Sequence, residues 1–178
     1  MGQPKVEDIL RLKIKPKAKQ AMLVEAVISG HIPIQEFIAF FEAAGDVDKG
    51  SCADALKHIA VQKPELLAPY INLLIGYINY PLPRVKWGIP EAIGNLAKVY
   101  GDQAVAAIPY LQKNTTDNPG NTTVIKWCAA FALVEIAKYN LTARNQLLPF
   151  FEDIANNEKN QGVRNLYNKA IKMSKAGS

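Results

Sequence analysis

The chain repeats itself at a fixed interval. Lys86-Trp87 and Lys126-Trp127 stand forty residues apart, as do Pro109 and Pro149, and Pro69 lies forty residues before Pro109. Between these marks the register holds, with Ala92 matching Ala132, Leu96 matching Ile136, and Ala97-Lys98 matching Ala137-Lys138. A period of this length predicts stacked helix–turn–helix units, each too small to bury its apolar face alone. An array of that kind presents a broad surface and usually works by holding a partner.

Apolar spacing within the repeat is helical. Val85, Ile89, Ala92, Ile93, Leu96 and Ala97 fall on one face of a 3.6-residue period, and Ile125, Ala129, Ala132, Leu133, Ile136 and Ala137 form the matching set. The punctuation then divides the single domain 1–178. A basic lead-in covers 1–16, helix pairs span about 17–50, 51–83, 84–123 and 124–162, and a terminal helix covers 163–175. Gly30 and Gly45 are placed to end helices, since glycine takes the left-handed C′ conformation most readily. Pro33 suits the first turn of the helix that follows it, and Pro81 and Pro83 forbid continuation between pairs. Asp46 to Gly50 hints at a calcium loop. Gly50 stands at a ligand position and Lys57 where a bidentate Glu is required, so an inter-helix turn with Asp48 or Ser51 as N-cap is predicted instead.

Composition excludes several classes. A chain of 178 residues with 49% hydrophobic and 21% charged content is globular in type. The longest apolar stretch, 66–78, is interrupted by Pro69, Asn72 and Gly76 and is too short to span a bilayer. No basic-then-apolar leader is visible, Gly2 lacks the Ser or Thr at position six that myristoylation favours, and no membrane partner is expected. A cytoplasmic location is the default expectation. Cys52 and Cys128 have no ligand-like neighbours and suit small buried thiols. His31 and His58 lie in unrelated contexts, and no metal-ligand spacing, phosphate loop or nucleophile elbow is present. No cofactor, metal or catalytic set is therefore expected. Asn114, Asn121 and Asn140 head glycosylation sequons but suit polar loops without an export signal. Residues 1–20 and 158–178 each carry net +4, leaving −3 for the middle of a chain whose total is +5.

The stretch Arg84-Val85-Lys86-Trp87, Ala92-Ile93-Gly94-Asn95-Leu96-Ala97 and then Ala107-Ile108-Pro109-Tyr110-Leu111 resembles a HEAT repeat. Residues 124–151 look like a second copy, and Val163-Arg164 to Met173 like a truncated one. Residues 51–83 match with an inter-helix connection three residues shorter, and 17–50 match in helical pattern only. The resemblance implies an all-α, right-handed α-α superhelix of about four HEAT-like helix pairs plus a C-terminal capping helix. It implies first helices on a convex wall and second helices lining a concave one.

Candidate binding residues follow from the prolines of the second helices. Positions four before, three after and seven after each proline share its stripe. With the first pair aligned at Ala39, the partner-binding candidates are Glu42, Asp46, Glu65, Asn72, Gln112, Asn145 and Glu152. The column holds no Lys or Arg. It is either a plain solvated face or a shallow acidic groove that favours a basic peptide over a phosphate backbone. Trp87 and Trp127 share a register and either pack between repeats or form exposed aromatic anchors. Arg84, Lys86, Lys126 and Arg164 recur at first-helix starts, against the helix dipole, which predicts side-chain bonds to neighbouring loops.

The expected function is a non-enzymatic scaffold that binds a protein or basic peptide segment, with its oligomeric state open. The alternative, implied by likeness in fold to HEAT-like alkylpurine DNA glycosylases, is nucleic-acid binding. Those enzymes gather basic residues, an aromatic and an Asp in the concave cleft. Here Trp and Lys lie on first helices, although the basic chain ends could attract phosphate weakly.

Overall fold

A computed structural model describes residues 4–176. Every regular element among them is helical, and no strand occurs there. The Gly2 motif lies outside the described residues.

The chain opens with α1 (Val6–Arg11), which buries Val6 and Ile9, and α2 (Pro16–Ile28). Gly30 reverses the chain with φ of 81°, and the Ile32 N–H returns to the Ala26 carbonyl at 2.8 Å. Next come α3 (Ile34–Ala43) and α4 (Asp46–Gln62). Residues 46–50 are thus not the predicted turn but the first turn of α4, with Gly45 at the N-cap position and neither Asp48 nor Ser51 capping. Two effects favour helix here. Asp46 and Asp48 lie in the first turn, where the dipole favours carboxylates. Lys49, only 3% exposed, donates from Nζ to the Phe41 and Glu42 carbonyls at 2.6 and 2.8 Å. Those are last-turn carbonyls of α3 that lack helical partners. The same ammonium faces the rings of Phe41, Tyr77 and Tyr80 at 5.1, 5.4 and 5.6 Å.

The prolines at forty-residue spacing split two of the predicted second helices. α5 (Pro64–Leu67) meets α6 (Ile71–Tyr77) through a 3₁₀ turn that contains Pro69. Next, α7 (Pro83–Ala104) kinks at Tyr100, φ −122° and ψ 44°, so its last residues leave the line of the helix before them. A 3₁₀ turn at Val105–Ala107 then leads into α8 (Ile108–Lys113), with Pro109 in its first turn. Proline has no N–H to donate four residues back, and the tighter turn accommodates the loss. Then α9 (Thr123–Tyr139) is followed by α10 (Leu141–Asn157), which carries Pro149 without a break. The last helix is α11 (Gln161–Ala176).

The helices α2, α4, α7, α9 and α11 pack in that order, each against the next. The two predicted apolar sets form the centre of this row. Val85, Ile89, Ala92, Ile93, Leu96 and Ala97 are fully buried on α7, as are Ala129, Ala132, Leu133, Ile136 and Ala137 on α9. Each buried Val, Leu or Ile contributes about 1.5–3 kcal/mol through removal from water. Two glycines set the spacing of the row. A Cβ at Gly88 would lie 2.4 Å from the Ala53 carbonyl oxygen of α4, and one at Gly94 would lie 3.0 Å from Cα of Ala132 in α9. Backbone meets backbone at both places.

Side chains also tie separate helices together. Asn114 is not a loop residue in water but buried. It donates to the Ile78 carbonyl at 3.1 Å and accepts from Asn79 at 2.9 Å. Asn140 caps α10 by accepting the Ala143 N–H at 2.8 Å, and it donates to Asp102 at 2.8 Å.

Candidate functional site

Polar side chains join neighbouring helices of the α2, α4, α7, α9 row. Gln20 of α2 donates to Asp54 of α4, and Lys57 pairs with Asp54 at 2.8 Å and with Glu91 of α7 at 3.7 Å. The Cys128 thiol of α9 donates to Glu91 at 3.3 Å. Burial, reinforced by Glu91, pushes the Cys128 thiol up; burial, with Asp48 beside it, pushes Cys52 up to about 12. Such burial disfavours the thiolate, the reactive form of cysteine. Among the described residues, no cluster of three or more His, Cys, Asp or Glu could hold a metal.

Helices α8 and α10 flank a groove of about 630 Å³. Pro109, Phe150 and Ile154 supply apolar lining, and Gln112, Asn157, Thr115 and Thr116 supply neutral polar lining. Asp117, Asp153 and Glu158 bring carboxylates, and Lys113 brings one ammonium. Phe150, Asp153, Ile154 and Asn157 are spaced three, four and seven apart along α10 and so share one face.

Lys126, near the start of α9, holds one end of this groove. Its Nζ lies 2.9 Å from Asp117 and 2.9 Å from Glu158. The Glu158 side chain is 3% exposed, whereas that of Asp117 is 76% exposed. Burial works against the charge on Lys126, but the hydrogen bonds to Asp117 and Glu158 outweigh it and hold the ammonium above the usual lysine range. The hydrogen bond from Lys126 holds Asp117 below the usual carboxylate range. The second oxygen of Glu158 accepts the Asn160 N–H at 2.7 Å, which shapes the turn into α11. Lys126 thereby makes the loop contact its sequence position predicts. Arg84 instead reaches Ser51 on α4, at 3.3 Å, and Arg164 bonds Gln161 of its own helix.

The predicted column does not converge on this groove. Of its members only Gln112 lines it. Glu65, Asn72 and Asn145 are exposed on α5, α6 and α10, and Glu42 is exposed near the end of α3. Asp46 leaves the second helix altogether, because α3 stops at Ala43 and Asp46 opens α4. Glu152 pairs with Lys175 of α11 at 3.2 Å. The lining residues of α10 stand one position beyond the proline-derived stripe, and one residue is a turn of about 100° around a helix. The i, i+3, i+4, i+7 pattern from Phe150 to Asn157 was present in the sequence, but the proline register pointed to its neighbour.

The two tryptophans behave differently. Trp127 is 38% exposed and stacks on Phe131, rings 5.7 Å apart and 4° from parallel. Phe131 in turn leans on Gly94 of α7. Trp87 is half-buried, and its Nε1 is enclosed with no hydrogen-bond partner. Comparison with protein-family models, with curated proteins and with solved structures gives no match to the chain.

Proposed function

We propose that this protein is a non-enzymatic docking module, a short HEAT-like α-solenoid that holds a protein or peptide segment on its second-helix side. The observation that carries the proposal is the groove between α8 and α10, with its apolar lining of Pro109, Phe150 and Ile154 and its three carboxylates. An apolar seat with a few oriented polar groups is the common form of a recognition site. Lys126 neutralises part of the charge at one end, where it pairs with both Asp117 and Glu158. Asp153 and the exposed oxygen atoms of Asp117 remain for the ligand. The segment that fits places a bulky apolar residue on Phe150 and Ile154 and a Lys or Arg beside Asp153. Phosphate backbones fit poorly, because carboxylates outnumber cations in the groove.

Selection from a randomised peptide display library against the whole chain tests this. The expected result is enrichment of sequences that pair a basic residue with a large apolar one within a few positions. Ile154→Glu should abolish their binding, and Asp153→Lys should weaken it by about tenfold, the scale of one charge-assisted hydrogen bond. Enriched peptides that bind both variants as well as the parent would overturn the assignment of this groove.

A further inference from the structure

The segment from the end of α1 to the start of α2 combines exposure with a run of cations. Every residue from 11 to 18 is exposed. Arg11, Lys13, Lys15 and Lys17 stand in this stretch, and no Asp or Glu occurs between Ile9 and Val24. Leu12 and Ile14 lie among these cations and are 38% and 41% exposed. The backbone around them is extended, with φ and ψ of −57° and 139° at Leu12 and −58° and 140° at Lys15. Lys19 is committed elsewhere, donating to the Leu10 carbonyl at 2.7 Å, which pins the base of the segment to the end of α1. Two buried residues of α1, Val6 and Ile9, anchor that helix in turn.

We propose that this segment attaches the protein to an anionic lipid surface, with Leu12 and Ile14 entering the interface and Arg11, Lys13, Lys15 and Lys17 meeting the headgroups. Three partners could use a cationic ridge, and the observations separate them. A nucleic-acid backbone would satisfy the cations but leave the two aliphatic side chains in water. A peptide partner would use the cleft of about 320 Å³ that Pro16 and Lys17 help to line, but Arg11, Leu12, Lys13, Ile14 and Lys15 lie outside it, and such a run of exposed residues suits a plane. Lipid uses both features: clusters of four to eight Lys or Arg bind acidic headgroups, and neighbouring apolar side chains bury in the acyl boundary. The sequence expectation of no membrane partner rests on the lack of a spanning segment, a leader and a myristoylation motif, and surface attachment requires none of these. No described helix is long and apolar enough to cross a membrane.

Cosedimentation of the full chain with vesicles is the experiment, with pure phosphatidylcholine set against phosphatidylcholine containing about one-third phosphatidylserine. Binding should appear on the anionic vesicles only and weaken as salt shortens the range of the attraction. Removal of one surface cation corresponds to about a fivefold fall in partitioning, so the triple variant Lys13→Ala, Lys15→Ala, Lys17→Ala should lose about a hundredfold. The double variant Leu12→Ala, Ile14→Ala should keep the salt-sensitive part and lose the part that survives high salt. Both variants alter exposed side chains, and unchanged helical circular dichroism confirms that they fold. Absence of binding to anionic vesicles, equal binding to neutral ones, or undiminished binding by the triple variant overturns the proposal. So does retention of duplex DNA by a chain that leaves both vesicle types untouched.

Discussion

Lys126 illustrates how much one side chain can hold in a small helical protein. It bridges an exposed carboxylate, Asp117, and a buried one, Glu158, and so fastens the α8–α9 connection to the α10–α11 connection. Removal of the ammonium strands the buried charge. Lys126→Met is therefore expected to lower unfolding free energy by about 3 kcal/mol in chemical denaturation. Adding Glu158→Leu should restore much of the loss, because no uncompensated charge is then enclosed. The pH dependence has a definite sign on each side. Asp117 titrates below its ordinary value of 3.8, so its contribution is present above that pH and lost as the solution becomes more acidic than its folded-state value. Lys126 titrates above 10.5, so its contribution is full below that pH and lost as the solution becomes more basic than its folded-state value. The difference in stability between parent and Lys126→Met should be greatest across the intervening range and shrink at either extreme.

At the scale of the element, glycine spacing decides how closely helices approach. Gly88→Ala would force a methyl group against the Ala53 carbonyl of α4, and a loss of about 2 kcal/mol is expected from the overpacking. Gly76 is the internal control. It sits in α6 with nothing within 4 Å of where its Cβ would go, and Gly76→Ala should stabilise by roughly 0.5–1 kcal/mol. Thermal unfolding of the two variants separates close approach from helix propensity. Element identity was largely legible in the sequence, because apolar period and helix-stopping residues agree from Pro16 onward. Two details were not. Lys49 looked like a turn residue, and only the meeting of the start of α4 with the end of α3, with Tyr77 of α6 and with Tyr80 beyond it gives its ammonium carbonyls and rings to face. Pro69 and Pro109 looked like equivalent second-helix prolines in register with Pro149, yet each goes with a 3₁₀ step that the unbroken α10 lacks at Pro149.

For the whole molecule, the order α2, α4, α7, α9, α11 makes α7 the central member of the row. Opening from either end should reach it last. Native-state hydrogen exchange is expected to be slowest at amides of Ile89 to Ala97 and fastest in α1 and the last turn of α11, a gradient that uniform protection across the helices would contradict. The candidate groove was legible only in its chemistry. Carboxylates, amides and a scarcity of cations on the second-helix side were anticipated, but not which stripe of α10 faces α8. That choice depends on how α10 rotates about its axis when Phe151 and Leu147 enter the core and Phe150 meets Tyr167 edge-on, 6.4 Å away.

The paired glycine approaches on α7 have a consequence for how such a chain can vary in length. Gly88 admits the backbone of one neighbour and Gly94 that of the other, so both flanks of this helix are fitted to particular companions. A helix inserted or deleted beside α7 would present a stranger to one of those notches. Insertions and deletions should therefore be tolerated toward the termini, leaving the stretch from α4 to α9 intact.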